Sequence, residues 1–477
     1  MSFKFINRYP DWLPPEAFFR QKPMPMKSPV PLLINTQLAQ AFGIDPEWLA
    51  SGSGTAMSVG HPLPPGADPM ALAYAGHQFG TPVPQLGDGR ALLLGQLPDQ
   101  QGVLHDFQLK GSGPTPFSRM GDGRAALGPV LRELLVSEAM HALGIPTSRV
   151  LITAKTGEAV LRQTGPEPGA ILTRVARSHL RFGTFEYFIN RHDLDGLKAA
   201  ADAAIAWHYP ELAEYEAPAR YRVLLERVIE HTITLVTEWL RVGFIHGVMN
   251  TDNMMLSGET LDYGPCAFMD HFSAQRVFSS VDRGGRYAFN RQPYVAHWNL
   301  ARLAECLLPL MEEDALESVI EIINAVPDQF QAGHDQMMRR KLGLLTEQPT
   351  DTALGEALLA AMEEAQADYT NTFSAIGRNE PPAWMADWWL KYEQRLGLEP
   401  DQPRKRQSLM AAANPVVIPR NHLVERALHA AENGDLSPAE NLLAVIQSPY
   451  QDPGRNAQEF LRPPQPDEII PATFCGT

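Results

Sequence analysis

Over residues 221–244 the positions Val223, Leu224, Arg227, Val228, His231, Leu235 and Trp239 recur at three-to-four spacing before Gly243, which predicts a long helix. Leu127, Leu131, Leu134 and Leu135 repeat that spacing and predict a second helix over 125–143, with Gly144 as a stop and Pro146 just beyond. Around this second helix, between residues 91 and 175, the pattern shortens to β-like runs (ALLLGQ, VLHDFQLK, RVLITA, EAVLRQ, AILTRVA) separated by turns that carry glycine or proline. From residue 178 onward the spacing is helical. Two short β-like pieces, MML and ETLDYG, follow the long helix, and helices resume at VAHWNLARLAECLLPLM and run to about residue 447. Polar linkers fall near 346–351 and 399–408, and no repeat of 20 to 50 residues is present.

This order divides the chain into four regions. Residues 1–70, rich in proline with one helical stretch near 36–42, form an N-terminal extension wrapped on the body; 71–177 form a sheet-rich lobe. Residues 178–447 form a helix-rich lobe, and 448–477 an extended tail that closes on it. The expected class is α+β in two lobes.

Composition narrows the function. A chain of 477 residues with 44% apolar and 20% charged residues is expected to fold compactly. Its formal charge of -15 excludes non-specific binding to nucleic-acid backbones, so any anionic ligand must meet a local basic cluster. Charges and prolines interrupt the first twenty residues, no apolar run suits a membrane span, and the three cysteines make no disulfide framework, all of which point to the cytoplasm. With no Cys-x-x-Cys and no His-Glu-x-x-His, a zinc site has no support.

Candidate chemistry gathers where the two lobes meet. The strand FQLK ends in Lys110, and Glu133 follows on the next helix, the pairing by which protein kinases orient an ammonium on nucleotide phosphates. The same two residues also make an ordinary surface pair. The loop His246 to Asn253 has the length of the kinase catalytic loop with its asparagine last, and Asp262-Tyr263-Gly264 stands where the metal-binding Asp-Phe-Gly stands. Asn253 and Asp262 therefore offer oxygen ligands for Mg²⁺ or Mn²⁺. Val248 occupies the place of the kinase's proton-accepting aspartate; Asp252 is the one carboxylate in the loop that can replace it, a second-shell or capping role being its alternative. Two glycine-arginine loops, with Gly87, Gly89 and Arg90 in one and Asp122 and Gly123 in the other, suit close backbone approach to phosphates, although glycine and aspartate also build everyday turns. Arg174 and Arg181 add to Arg90 and Lys110 a cationic cluster matched to a triphosphate.

The motifs YAGHQFG (74–80), QLGDGR (85–90), LKGSGPTPFSRMGDGRA (109–125), LRELLVSEAMHALGIPT (131–147), TRVARSHLRFGTFE (173–186), GFIHGVMNTDNM (243–254), LDYGP (261–265) and GRYAFNRQP (285–293) closely resemble those of the selenoprotein O family. The resemblance implies a bilobal protein-kinase-like fold that binds ATP in reversed orientation and transfers AMP to Ser, Thr or Tyr hydroxyls of proteins. It also implies self-modification, UMP transfer with Mn²⁺, and redox-related proteins among the substrates. It assigns nucleotide contacts to Gly87, Gly89, Arg90, Lys110, Asp122, Gly123, Arg174, Arg181 and Asp262, metal contacts to Asn253 and Asp262, the base to Asp252, and the lysine's partner to Glu133. Cys475 occupies the place of the family's C-terminal selenocysteine, but Phe278 stands where some relatives carry the cysteine that pairs with it; Cys266 is the nearest candidate substitute, with a buried inert thiol as its alternative reading. Two other readings stay open: a phosphotransferase of the kinase type, against which Val248 argues, and a non-catalytic nucleotide-binding scaffold, against which the complete Lys110, Glu133, Asn253 and Asp262 set argues.

Overall fold

The computed structural model describes residues 3–163 and 165–474. Its first lobe is built on strands β1 (Phe18–Arg20), β2 (Val30–Ile34), β3 (Met70–Gln78), β4 (Thr81–Gly87), β5 (Ala91–Pro98), β6 (Leu104–Lys110), β7 (Ala125–Ala126), β8 (Arg149–Arg162) and β9 (Gly165–Ala176). Among the described residues these make one antiparallel sheet in the order β1-β3-β5-β6-β9-β8-β2, with β4 added on β3 and β7 on β9. The region predicted as an extension thus supplies β1 and β2, and these strands cap the two ends of that order, where unpaired N–H and C=O groups would otherwise face water.

Period-two alternation decides what each face of the sheet carries. On β6, Phe107 and Leu109 turn to one side, where they pack with Phe5, Leu38, Leu49 and Val59 of the N-terminal region. Asp106, Gln108 and Lys110 turn to the other, and all three are buried. Helix α1 (Leu127–Ala142) packs through Leu127, Leu131, Leu134 and Leu135 against Val150 and Leu172 of the sheet. Its back is covered by helices α6 (Asn421–Glu432) and α7 (Ser437–Ile446), so the helix is buried nearly all round although its leucines mark one stripe.

The helical lobe is organised by α3 (Ala219–Arg241), with α4 (Gln292–Leu307) and α5 (Ala315–Leu342) packed against it and α2 (Phe182–Ile189) packed on α4 and on β3 of the first lobe. Val228, Leu235 and Trp239 of α3 join the largest core of the molecule with Phe185, Leu300 and Phe330. The strands expected at MML and ETLDYG do not pair as a hairpin beyond one bridge, Met254 to Thr260. Their backbone groups bond the first lobe and the link between lobes instead: Phe182 N–H to Met254 O at 2.9 Å, Leu256 N–H to Leu180 O at 3.0 Å and Thr260 N–H to Pro146 O at 2.9 Å. The paired strands of this region are β10 (Phe244–Ile245) and β11 (Ala267–Phe268), which flank the loop between them. No helix among the described residues is long and apolar enough to cross a membrane.

Candidate active site

A cleft of about 290 Å³ opens between the lobes. It is lined by Gly87, Gly89, Arg90, Lys110, Asp122, Gly123, Arg174, Arg181, Asp252 and Asp262, which brings together most of the residues singled out from the sequence. Glu133 stands directly behind Lys110, and Asn253 sits beside Asp252 on the short turn Thr251–Asn253, outside the lining.

The lysine is gripped from two sides. Lys110 Nζ donates to Glu133 Oε2 at 2.6 Å and to Asp262 Oδ1 at 2.8 Å, which ties β6, α1 and the segment after the loop into one triad. Arg174 adds its Nε to Glu133 Oε1 at 2.7 Å. Burial alone would raise the Glu133 carboxyl; Arg174 and Lys110 outweigh it and hold the group below the usual range, hence ionised. Burial also acts to raise Asp262, and Lys110, Arg174 and Arg90 push it far in the other direction. Asp262 adopts φ +67, a left-handed conformation uncommon for a residue with a side chain, and its carboxylate meets the lysine there.

Arg181 closes the opposite wall. Its Nη1 donates to the Asp252 carbonyl at 3.0 Å, its Nη2 to Asp88 Oδ1 at 3.2 Å, and the guanidinium lies 4.3 Å from the centre of the Tyr74 ring. Asp122 is held by Arg162 Nη1 at 2.9 Å. Gly87, at φ +150, lies against the ring of Phe117, so any side chain there would strike it.

The loop 246–253 is fixed by bonds from both lobes. His246, kept neutral because burial lowers its pKa, lies 3.0 Å from Leu261 O through Nε2 and accepts Val248 N–H at Nδ1. From the other lobe, His77 N–H reaches Thr251 Oγ1 at 2.7 Å and Phe79 N–H reaches Asn250 Oδ1 at 3.0 Å, an oxygen that Tyr287 also bonds at 2.6 Å. Gly76 lets β3 pass the loop closely, because a Cβ there would come within 2.5 Å of Asp252 Oδ1.

Asp252 itself is buried, and its Oδ1 has no hydrogen-bond partner among the described residues. Burial raises its pKa to about 6 against the opposing charge of Arg181, which suits proton uptake near neutrality. Asn253 Nδ2 donates to Val248 O at 2.9 Å, which orients the amide and leaves its oxygen as the donor atom toward a cation. With Asp262 this is a set of hard oxygen ligands, the kind Mg²⁺ and Mn²⁺ prefer. Among the described residues no group of three or more His, Cys, Asp or Glu could hold a metal unaided, so phosphate oxygens would have to complete the coordination.

Sequence reasoning did not single out Asp88 or Gln108. Asp88 lies within QLGDGR and read as turn chemistry; its burial and its bonds to Arg181 and Gln108 exist only in the folded lobe. The polar residue between Phe107 and Leu109 on β6 was the available signal for Gln108. Phe278 is buried and its carbonyl accepts Thr473 N–H at 2.7 Å; Cys266 is also buried, and Cys475 lies outside the described residues.

A family model described as Protein adenylyltransferase SelO matches residues 15–447. Protein nucleotidyltransferase YdiU of Bradyrhizobium sp. (strain ORS 278) is 50% identical over 494 aligned positions that cover 100% of both chains. The protein of the same name from Rhodopseudomonas palustris (strain BisB5) is 50% identical over 498 positions, again 100% of both chains. That of Rhizobium rhizogenes (strain K84 / ATCC BAA-868) is 49% identical over 491 positions, 99% of this chain and 97% of the relative.

Proposed function

We infer that this chain, which belongs to the SelO family of protein adenylyltransferases, is a nucleotidyltransferase that moves AMP from ATP to Ser, Thr or Tyr hydroxyls of proteins in the cytoplasm, its own included. One observation carries the reading: the carboxylate that the loop offers to the cleft is Asp252, in the same cavity as Lys110, Arg174 and Arg181, while the kinase position holds Val248.

Arg90, Lys110, Arg174 and Arg181 are among the cations that line the cleft and suit the β- and γ-phosphates, which leave together as pyrophosphate. Glu133 keeps Lys110 aimed, and Gly87, Gly89 and Gly123 admit the nucleotide close to the backbone. Asn253 and Asp262 are the residues that would hold Mg²⁺ or Mn²⁺, which would supply positive charge against the phosphates. Asp252 takes the proton of the acceptor hydroxyl, and its unpartnered Oδ1 is the atom for it. Attack by the acceptor hydroxyl oxygen on the α-phosphorus joins AMP to the protein and breaks the α–β phosphoanhydride bond, which releases pyrophosphate. UTP with Mn²⁺ is the second nucleotide this site should take.

The purified protein incubated with ATP labelled at either the α- or the γ-phosphate tests the reading. The α label should become covalently attached, with a mass gain of roughly 329 Da; attachment of the γ label, with a gain of about 80 Da, would instead establish a phosphotransferase.

A further inference from the structure

Buried side chains connect two arginines of the cleft, Arg174 and Arg181, into one line of hydrogen bonds. Gln108 stands at its centre, fully buried on β6. Its Nε2 donates to Asp88 Oδ2 at 3.0 Å and its Oε1 accepts from Arg174 Nη1 at 3.3 Å. Asp88 Oδ2 also takes Leu72 N–H at 3.2 Å, while Asp88 Oδ1 receives Arg181 Nη2 at 3.2 Å. From Arg174 the line continues through Glu133 to Lys110 and Asp262, and from Arg181 it ends on the carbonyl of Asp252.

An amide suits this position for a reason that few other side chains satisfy. It has a donor end for the carboxylate of Asp88 and an acceptor end for the guanidinium of Arg174. A carboxylate would be repelled by Asp88, a cation by Arg174, and an apolar side chain would leave both partners short of a bond in a buried place.

We propose that Gln108 and Asp88 are positioning residues: they hold Arg174 and Arg181 at a fixed spacing against the nucleotide phosphates, and the direction of the Gln108 amide sets that spacing. The proposal rests on the reading of the cleft as a nucleotide site.

The test is Gln108→Glu, read by calorimetric binding of ATP with Mg²⁺ to the full chain. Asp88 from the β4–β5 turn, Arg174 from β9, Glu133 from α1, Arg181 and His179 from the segment before α2, and Asp106 and Lys110 on β6 are the charged or titratable groups around the position. When two carboxyls share one site, one of them holds its proton to higher pH. Protonated, the introduced carboxyl donates to Asp88 and accepts from Arg174 as the amide does; deprotonated, it repels Asp88 and draws Arg174 away from Glu133. Affinity relative to wild type at the same pH should therefore be about tenfold lower at about pH 8 and close to wild type at about pH 6. Gln108→Leu, with no proton to regain, should be weak at both. Binding is the readout because Asp252 must itself be ionised for turnover.

A loss of equal size at both pH values, or no loss at either, would overturn the proposal. Asp88→Asn gives an independent arm should Gln108→Glu fail to fold: it should bind about tenfold more weakly at every pH, and unchanged affinity there also overturns the proposal. Wild type that binds ATP but transfers the γ label would refute the transfer reading and leave the positioning role intact. Wild type that binds no ATP would refute both.

Discussion

At Gly76 the absence of a side chain governs the place of the Asp252 carboxylate in the other lobe. A methyl group there meets Asp252 Oδ1 at 2.5 Å, and the loop, bonded on both sides, can yield only by moving the carboxylate. Gly76→Ala should lower the rate of AMP transfer by about a hundredfold, the order associated with a misplacement near 1 Å, while ATP binding changes little. Initial rates with α-labelled ATP beside calorimetric titration check this. Asp262→Ala should abolish transfer because it removes the charged oxygen proposed to hold the metal and one of the two acceptors of Lys110; its thermal melt should stay close to wild type, and near-normal turnover would refute the metal role. That Lys110, Glu133, Asp252 and Asp262 would meet at one cleft was legible in the sequence, because spacing along a strand, a helix and a loop survives translation into space. Asp88 and Gln108 were not, since their importance lies in partners 93 and 66 residues away.

Among the elements, the segment between the lobes is locked by the N-terminal region. Tyr9 donates to Asp106 Oδ2 at 2.7 Å and accepts His179 N–H at 2.8 Å, all three residues being buried. Tyr9→Phe keeps the ring but removes one of the two partners of Asp106 Oδ2, which keeps His179 Nδ1 at 3.0 Å, and leaves the buried His179 N–H without its acceptor, so a loss of about 1 to 3 kcal/mol is expected in denaturant unfolding. Glu259 braces the same segment by accepting Arg177 N–H at 2.9 Å, and burial raises its pKa from 4.5 to about 7. The folded form thus holds this proton more tightly than the unfolded chain. The associated stability is complete below about 4.5 and is lost as pH rises through about 7. Glu259→Gln should therefore flatten the fall in melting temperature across that window. The long helices and the strands around β6 were readable from period alone, because each buries a repeating face. The pieces at 254–264 misled, since a short β-like run takes whatever partner tertiary packing provides, here residues of the first lobe and the link.

For the whole molecule, the lobes are not joined by a single hinge. The end of β3 bonds the loop of the second lobe, and α6 and α7 pack back onto α1 of the first. ATP with Mg²⁺, if it binds the cleft as proposed, would contact both lobes and should raise the melting temperature of the entire chain; ligand at a hundredfold excess over its dissociation constant contributes about 2.7 kcal/mol. A single calorimetric transition that moves as a unit is the expected trace, and a split transition would show that the lobes melt apart. The division into a sheet-rich and a helical lobe was legible from the change of period near residue 178. The return of 417–446 to the first lobe was not, because an apolar helix face does not name its partner.

Thr473 lies beside Ser279 and bonds Phe278 and Pro265, about two hundred residues earlier in the chain. Synthesis on the ribosome therefore completes both lobes before the piece that covers residues 265–280 has emerged. A chain cut before residue 473 would carry every side chain of the cleft and still lack that cover, so in translation the contact at 265–280 forms only after the whole cleft is made.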